Sequence, residues 1–351
     1  MKPLFYIHQA SCISPQQSFG DTDLETLHNP ADKKMLALEP SYEGIPPGVL
    51  RRMGKAVRMG VGAALPLLKN RSDINGFIIG TANGGMEDCI KFLNQIIQYE
   101  EGQLTPGNFV QSTPNAIAAQ LGMISKNRSY NITHVHRGLS FENAVIDAAL
   151  QLATHPDHTY ILGAVDEISA YNYNIEFLGD WYKDEDIQAA GLYSSHTKGA
   201  IAGEGAAMFV VNNRPANALA RIEAVQQLHN DRVPAFRAML EQFLAAHLPA
   251  GENIDLLLSG ENGDIRYTDH YAACEAAMDP SVAVARFKHM TGEYTTVTAP
   301  ALWLALQLLQ KQALPAHLLK RKGSGNTIRN ILVYNNYKAE QHSLILLKTM
   351  A

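Results

Sequence analysis

Cysteine is scarce in this sequence: its 351 residues include three, Cys12, Cys89 and Cys274. They stand far apart and match neither a disulfide framework nor a zinc-ligand spacing, which points to a reducing cytoplasm and to no bound metal. Positive charge is also in short supply. The formal charge is -5, so no basic face offers itself to nucleic acid. No uninterrupted apolar run approaches the roughly 18 residues of a membrane span. The opening Met1-Lys2-Pro3-Leu4-Phe5-Tyr6 has no apolar stretch followed by a small-residue cleavage site, so export is not expected. No Lys-Ser or Lys-Thr follows the glycine pairs, which makes them poor candidates for phosphate binding, and nothing calls for a cofactor. What is abundant is apolar residue: 46% hydrophobic against 18% charged fits a substantial core. The length allows one large α/β unit or two ordinary domains.

Hydrophobic periodicity gives alternating strands and helices. In the first half it predicts strands at Leu4–Ile13, Ile74–Gly80, Tyr130–His136, Thr159–Val165 and Ala206–Val211. Helices are predicted at Leu50–Lys69, Met86–Tyr99, Asn115–Ser125 and Phe141–Thr154, with Ser140 as an N-cap. The second half repeats this order in shorter form. Its strands are predicted at Ala220–Gln226, Ile254–Leu258, Val282–Phe287, Asn330–Tyr334 and Ser343–Leu347, its helices at Ala235–His247, Thr268–Met278 and Ala299–Gln312. A βαβαβαββ order occurring twice implies two similar α/β halves whose sheets sandwich shared helices. The polar stretch Asn212-Asn213-Arg214-Pro215 divides them into 1–212 and 213–351, packed as one folding unit.

Five segments, in order along nearly the whole chain, carry a family resemblance. They are Gly80 to Gly84-Gly85; Pro114-Asn115-Ala116-Ile117-Ala118-Ala119; Gly163-Ala164-Val165-Asp166-Glu167; Gly199-Ala200-Ile201-Ala202-Gly203-Glu204-Gly205-Ala206; and Lys288-His289-Met290-Thr291-Gly292. Together they resemble the ketoacyl synthases. The resemblance implies an α/β thiolase-like fold, a five-layered αβαβα sandwich. The second segment looks like that family's dimer-interface helix, and the third like its Gly-Gly-x-Glu turn, with Ala164 for the second glycine.

The chemistry that the resemblance leads one to expect is absent. Ketoacyl synthases carry the acyl group on a cysteine at a strand-to-helix elbow, where a helix N-terminus favours the thiolate. Counting back from the helix that carries Ala144 and Ala148 puts that position at Arg137, and a guanidinium cannot accept an acyl group. The first of two histidines that stabilise developing oxyanion charge is replaced by Glu261 or Asn262, and the second by Glu293. Lys288 is the one retained member of the set. Lone histidines such as His134, His136 and His289 read as polar structural residues, and Glu204 as structural. Tyr334-Asn335-Asn336-Tyr337-Lys338 stands in place of the family's Gly-Phe-Gly-Gly gate and suggests a blocked or reshaped pocket.

A buried Arg137 would need an anion, so Glu293 is expected to pair with it, with Glu142 the alternative. By resemblance, the chain is expected to be a non-catalytic partner like a chain-length factor. It would form a heterodimer with an active ketosynthase, serve acyl carrier protein and shape the acyl tunnel, docking through Phe109–Leu121. The elbow looks most like subunits of aryl polyene and flexirubin-type systems. Two other readings stay open: a decarboxylase or acyl hydrolase using Glu293, Asp264 or His136, and a homodimeric binder of acyl groups or carrier protein.

Overall fold

The computed structural model describes residues 3–249, 251–325 and 327–350. The chain opens with strand β1 (Phe5–Ile13) and helix α1 (Lys55–Leu68), whose small residues Ala56, Gly60, Ala63 and Ala64 let it lie close on the sheet. Strand β2 (Gly76–Gly80) leads into α2 (Met86–Gln98), the short α3 (Pro106–Gln111) and α4 (Ala116–Ser125). Edge strand β3 (Tyr130–His134) then feeds α5 (Ser140–Thr154) through a tight turn at Arg137–Leu139. Strand β4 (Thr159–Asp166), helix α6 (Ala170–Leu178) and strand β5 (Gly205–Asn212) complete the first half. The second half runs β6 (Ala220–His229), α7 (Val233–His247), β7 (Leu256–Ser259), α8 (Thr268–Ala276), β8 (Ala283–Arg286), α9 (Thr298–Lys311), β9 (Leu319–Arg321), β10 (Asn330–Tyr337) and β11 (Gln341–Thr349).

Strand order shows the duplication directly. The first-half strands lie in the order β3-β2-β4-β5-β1, and the second-half strands in the order β8-β7-β10-β11-β6, with β9 added at the edge. In each half the third, second and fourth strands are parallel, and the fifth is antiparallel to both the fourth and the first. The halves are not separate sheets, as the sequence reading supposed. Phe5, Ile7 and Tyr6 of β1 pair antiparallel with Ile222, Ala220 and Arg221 of β6, making one continuous surface of eleven strands.

Three apolar cores define the layers. The largest holds Phe141, Val145 and Leu152 of α5 with Leu302, Leu306 and Leu309 of α9, packed between strands of both halves. A second core lies between α1, α4 and the first-half strands, and a third between α7, α8 and the second-half strands. The result is a five-layered αβαβα sandwich with α5 and α9 in the middle. Helix α9 is apolar on nearly all sides because it has sheet on both faces. No helix among the described residues is long and apolar enough to cross a membrane.

Several local expectations change. Ser140 is the first residue of α5 and caps nothing; its Oγ accepts from the His136 N–H (2.7 Å) and donates to the Arg137 carbonyl (2.9 Å), closing the turn. Gly163-Ala164 lies inside β4 and forms no turn. Within Phe109–Leu121, Ile117 and Leu121 are buried in the chain's own core, while Phe109 and Val110 are exposed.

Two glycines join the motif segments. A Cβ on Gly203 would lie 2.1 Å from the Thr291 carbonyl oxygen, and one on Gly292 would lie 2.6 Å from the Gly203 Cα. This backbone contact lets Glu293 N–H donate to Ile201 (2.7 Å) and lets Gly203 N–H donate to Glu293 (3.0 Å). Gly203→Ala is therefore expected to cost roughly 2–4 kcal/mol in denaturant unfolding, because backbone must move on both sides. Gly48→Ala, whose added Cβ meets nothing within 4 Å, is the control and should change stability by less than about 0.5 kcal/mol.

Candidate functional site

Arg137 occupies the elbow between β3 and α5, as counted from the sequence, but it does not occupy a buried pocket. Its φ of 48° is left-handed, a conformation that a side chain adopts only where its surroundings impose it. The next residue shows what imposes it. A Cβ on Gly138 would lie 2.3 Å from the Tyr337 Cβ, so the β10 hairpin rests directly on the elbow. Gly138 N–H donates to Gln341 Oε1 (2.9 Å), which occupies a backbone donor at the start of the helix. The Arg137 side chain is exposed.

The expected Arg137–Glu293 pair does not form, and neither does the alternative with Glu142. Glu293 is taken by Lys288, whose Nζ lies 2.5 Å from its Oε1. Asn262 Nδ2 donates to the other oxygen at 2.9 Å. Lys288 is fully buried, with Glu293 and Asn262 nearly so. Three of the predicted positions therefore form one network. Glu261 is not part of it: its carboxylate turns away to Arg286 (3.2 Å) and Lys320. Of the two candidates for the first histidine's place, Asn262 is the one that faces the site.

Glu142 stands behind this network on α5, with no exposed surface and no hydrogen-bond partner on either oxygen. Burial pushes its carboxyl above the usual range; the Ser343 and Thr298 hydroxyls and the Lys288 ammonium oppose that shift without reversing it. Burial pushes the Lys288 ammonium down, while Glu293 and Glu142 hold it up. Both carboxylates proposed for Arg137 thus face Lys288 instead. Setting Lys288 against Glu293 reduces the uncompensated charge that the interior must carry.

In front of Glu293 lies a narrow cleft of about 50 Å³ walled by Asp166, Glu176, Tyr182, Tyr337 and Lys338, with room for a few waters and none for an acyl chain. Its wall is closed by a latch that sequence reading missed. Lys338 forms an ion pair with Glu176 of α6 and lies 4.2 Å from the Trp181 ring centre, and Trp181 stacks on Tyr267. Asp166 organises the adjoining turn, accepting from Thr81 Oγ1 (2.9 Å), Ala82 N–H (3.0 Å), Asn83 N–H (2.8 Å) and Thr295. Glu204 accepts from Ala37 and Ile168 N–H groups and pairs with Lys55, which ties three segments together.

No cysteine, serine or histidine lines the cleft among the described residues. Cys12 is buried, and its thiol is pushed up to about 12 by burial; Cys274 is buried on α8. Asp264 is held by Arg266 (2.6 Å), and His136 is exposed beside Asn143. His134 bonds Asp147 (3.0 Å), and His289 is packed between Tyr193 and His317, with burial pushing it down to about 3.

Two stability measurements test this electrostatic arrangement. Glu293→Gln should cost about 3–5 kcal/mol by leaving the Lys288 ammonium buried without its anion, and Lys288→Met added to it should recover part of that loss. Glu142 has a folded pKa raised above its unfolded one, so its contribution is fully present below the ordinary glutamate value and is lost as pH rises through the folded value. Glu142→Gln should therefore match the wild type in urea unfolding near pH 4. It should exceed it by about 1 kcal/mol or more near pH 8.

A family model described as beta-ketoacyl synthase, N-terminal domain, matches residues 27–246. No curated protein matches the chain. Among solved structures, the beta-ketoacyl synthase from Burkholderia phymatum STM815 has a TM-score of 0.75 at 14% identity, covering 100% of both chains. The ishigamide ketosynthase/chain length factor has a TM-score of 0.75 at 12% identity over 100% of both chains. A ketosynthase in complex with its chain length factor from Xenorhabdus doucetiae has a TM-score of 0.72 at 12% identity, covering 98% of each chain. At these identities the structures share the fold, and the family model covers well over half the sequence. The chain belongs to the beta-ketoacyl synthase family, with a thiolase-like fold.

Proposed function

We propose that this protein is a non-catalytic, chain-length-factor-like subunit. It would pair with an active ketosynthase, help to receive acyl carrier protein and bound the growing acyl chain in a type II polyketide system, aryl polyene or a close relative. The observation that carries the proposal is the elbow. The residue that the resemblance puts where ketoacyl synthases carry an acyl thioester is an exposed arginine, and the backbone next to it is covered by Tyr337 and bonded by Gln341. Condensation needs a nucleophile and donors aimed at the developing oxyanion. Here Lys288 and Asn262 are both committed to Glu293, and carboxylates line the cleft. An incoming malonyl anion would meet negative charge.

A partner-binding role is supported by what the surface exposes. Ile97, Phe109, Val110, Met123, Ile175 and Leu178 are each more than half exposed, on α2, α3, α4 and α6. Exposed apolar residues on neighbouring helices are what a partner-binding surface would use. Strand β3 leaves one side of the sheet unpaired and packs beside α4, which carries Met123.

The test is co-expression with an intact ketosynthase and its carrier protein. The expected result is a stable one-to-one complex, with acyl groups found by intact mass on the ketosynthase and never on this chain. A covalent acyl adduct on this chain, or turnover of malonyl carrier protein by this chain alone, would overturn the proposal. Within the complex, Tyr337→Ala should uncover Gly138 and shift the product distribution towards longer chains without dissociating the subunits.

A further inference from the structure

Strand β6 is joined to helix α7 by Asn230, Asp231 and Arg232, and two buried histidines hold this connection. His342 of β11 places its Nε2 2.9 Å from the Asn230 carbonyl oxygen. His270 of α8 places its Nε2 3.1 Å from the Asp231 carbonyl oxygen. A carbonyl only accepts, so both Nε2 atoms carry a proton. The His342 Nδ1 is then bare and accepts from the Tyr334 hydroxyl at 3.1 Å. A neutral imidazole meets these demands together, whereas an imidazolium would set a second donor against the tyrosine. Neither His342 nor Tyr334 has exposed surface. The two histidine rings lie 4.9 Å apart, and both pack on Phe236 of α7.

The same connection is tied to the tip of the β10–β11 hairpin. Asn230 N–H donates to the Glu340 carbonyl (2.8 Å), and the Ala339 carbonyl faces the His342 ring. The tip does not hold its own shape cheaply. Lys338 and Ala339 have φ of 55° and 58°, left-handed values that are costly for residues with a side chain. Its other attachment is the pair of contacts from Lys338 to Glu176 and Trp181. Histidines, connection and tip therefore form one series of contacts that ends over the cleft.

We infer that His342 and His270 form a clasp that makes the hold on the hairpin tip depend on pH. The clasp is closed while His342 is neutral, and it opens when that ring takes up a proton, freeing the tip that carries Lys338. The groups around His342 set the direction. Burial opposes a positive charge there most, followed by His270 of α8, and His229 of β6 adds to them. The Asn230 and Ala339 carbonyls favour the charge, and the balance moves the ring from 6.5 down to about 4. Glu340 is mostly exposed and lies 3.9 Å from His229; Asp231 and Arg232 are exposed. Burial keeps Tyr334 of β10, and Tyr271 and Cys274 of α8, in their neutral forms. None of these supplies a buried anion. Because His342 is depressed in the folded protein, the closed clasp is fully favoured above 6.5 and loses ground as pH falls towards about 4. Between those limits the open form gains about tenfold per pH unit.

The experiment is hydrogen exchange on the full chain, read by mass spectrometry near pH 7.5 and near pH 5 and corrected for the intrinsic pH dependence of exchange. The amides of 229–232 and 338–341 should lose protection by about 30-fold over that range, while those of β4 keep theirs. His342→Gln retains a donor for Asn230 and an acceptor for Tyr334 but cannot titrate, so its protection should change by less than about threefold. Nitrogen NMR of the histidine-labelled wild type gives a second readout that needs no variant. It should find His342 neutral, with its proton on Nε2, near pH 5.5. The inference is overturned if the tip keeps its protection near pH 5, or if β4 loses protection in step with it. It is equally overturned if His342→Gln responds to pH as the wild type does, or if His342 is charged in the folded protein near pH 6. No outcome involves a partner chain, so the clasp and the proposed function stand or fall separately.

Discussion

Lys288 has no route to water, and much of the site follows from that. A buried ammonium must either give up its proton or keep an anion beside it. Glu293 supplies the anion at 2.5 Å and is held in place by Asn262. Its backbone bonds to Ile201 and Gly203, with Gly203 and Gly292 in direct backbone contact. One electrostatic requirement thus fixes a side chain from each of two loops and the join between the two motif segments. The groups so fixed are those that would otherwise be available to handle a substrate anion.

Closure of the front of the site is separate from this and comes from packing. The β10–β11 hairpin lays Tyr337 on the elbow and Lys338 on Glu176 and Trp181, so the cleft is bounded on one side by a polar latch and on the other by an aromatic wall. The exposed apolar residues of α6, Ile175 and Leu178, belong to the same helix as Glu176. The exposed apolar face and the latch over the cleft are therefore two sides of one short helix. Any shift of α6 on docking would be felt at Lys338.

Much of this architecture is legible in the sequence, because burial on one or both faces leaves a period. The strands at Thr159 and Gly205 read as continuous apolar runs and are buried along their whole length, and α9 reads as apolar throughout because sheet covers both its sides. Arg137 could be placed at the elbow by counting, and Lys288 by its motif. The choice of ion-pair partner could not be read. It depends on the sign of one φ angle and on a tyrosine 200 residues away in sequence (337 − 137), neither of which leaves a local pattern. Helices α3 and α6 escaped for a related reason: their apolar residues face outward, so no inward-facing stripe marks them.

The repeated strand order gives the molecule an internal point of reference. In both halves the third strand is followed by a cation and, five positions later, by an acid: Arg137 with Glu142, then Lys288 with Glu293. The two halves use this spacing differently. The Lys288 ammonium faces inward with both acids beside it; Arg137 faces outward with no ion pair among the described residues. The same spacing of cation and acid thus gives an inner charge that holds two loops together at one elbow and an outer charge exposed at the other.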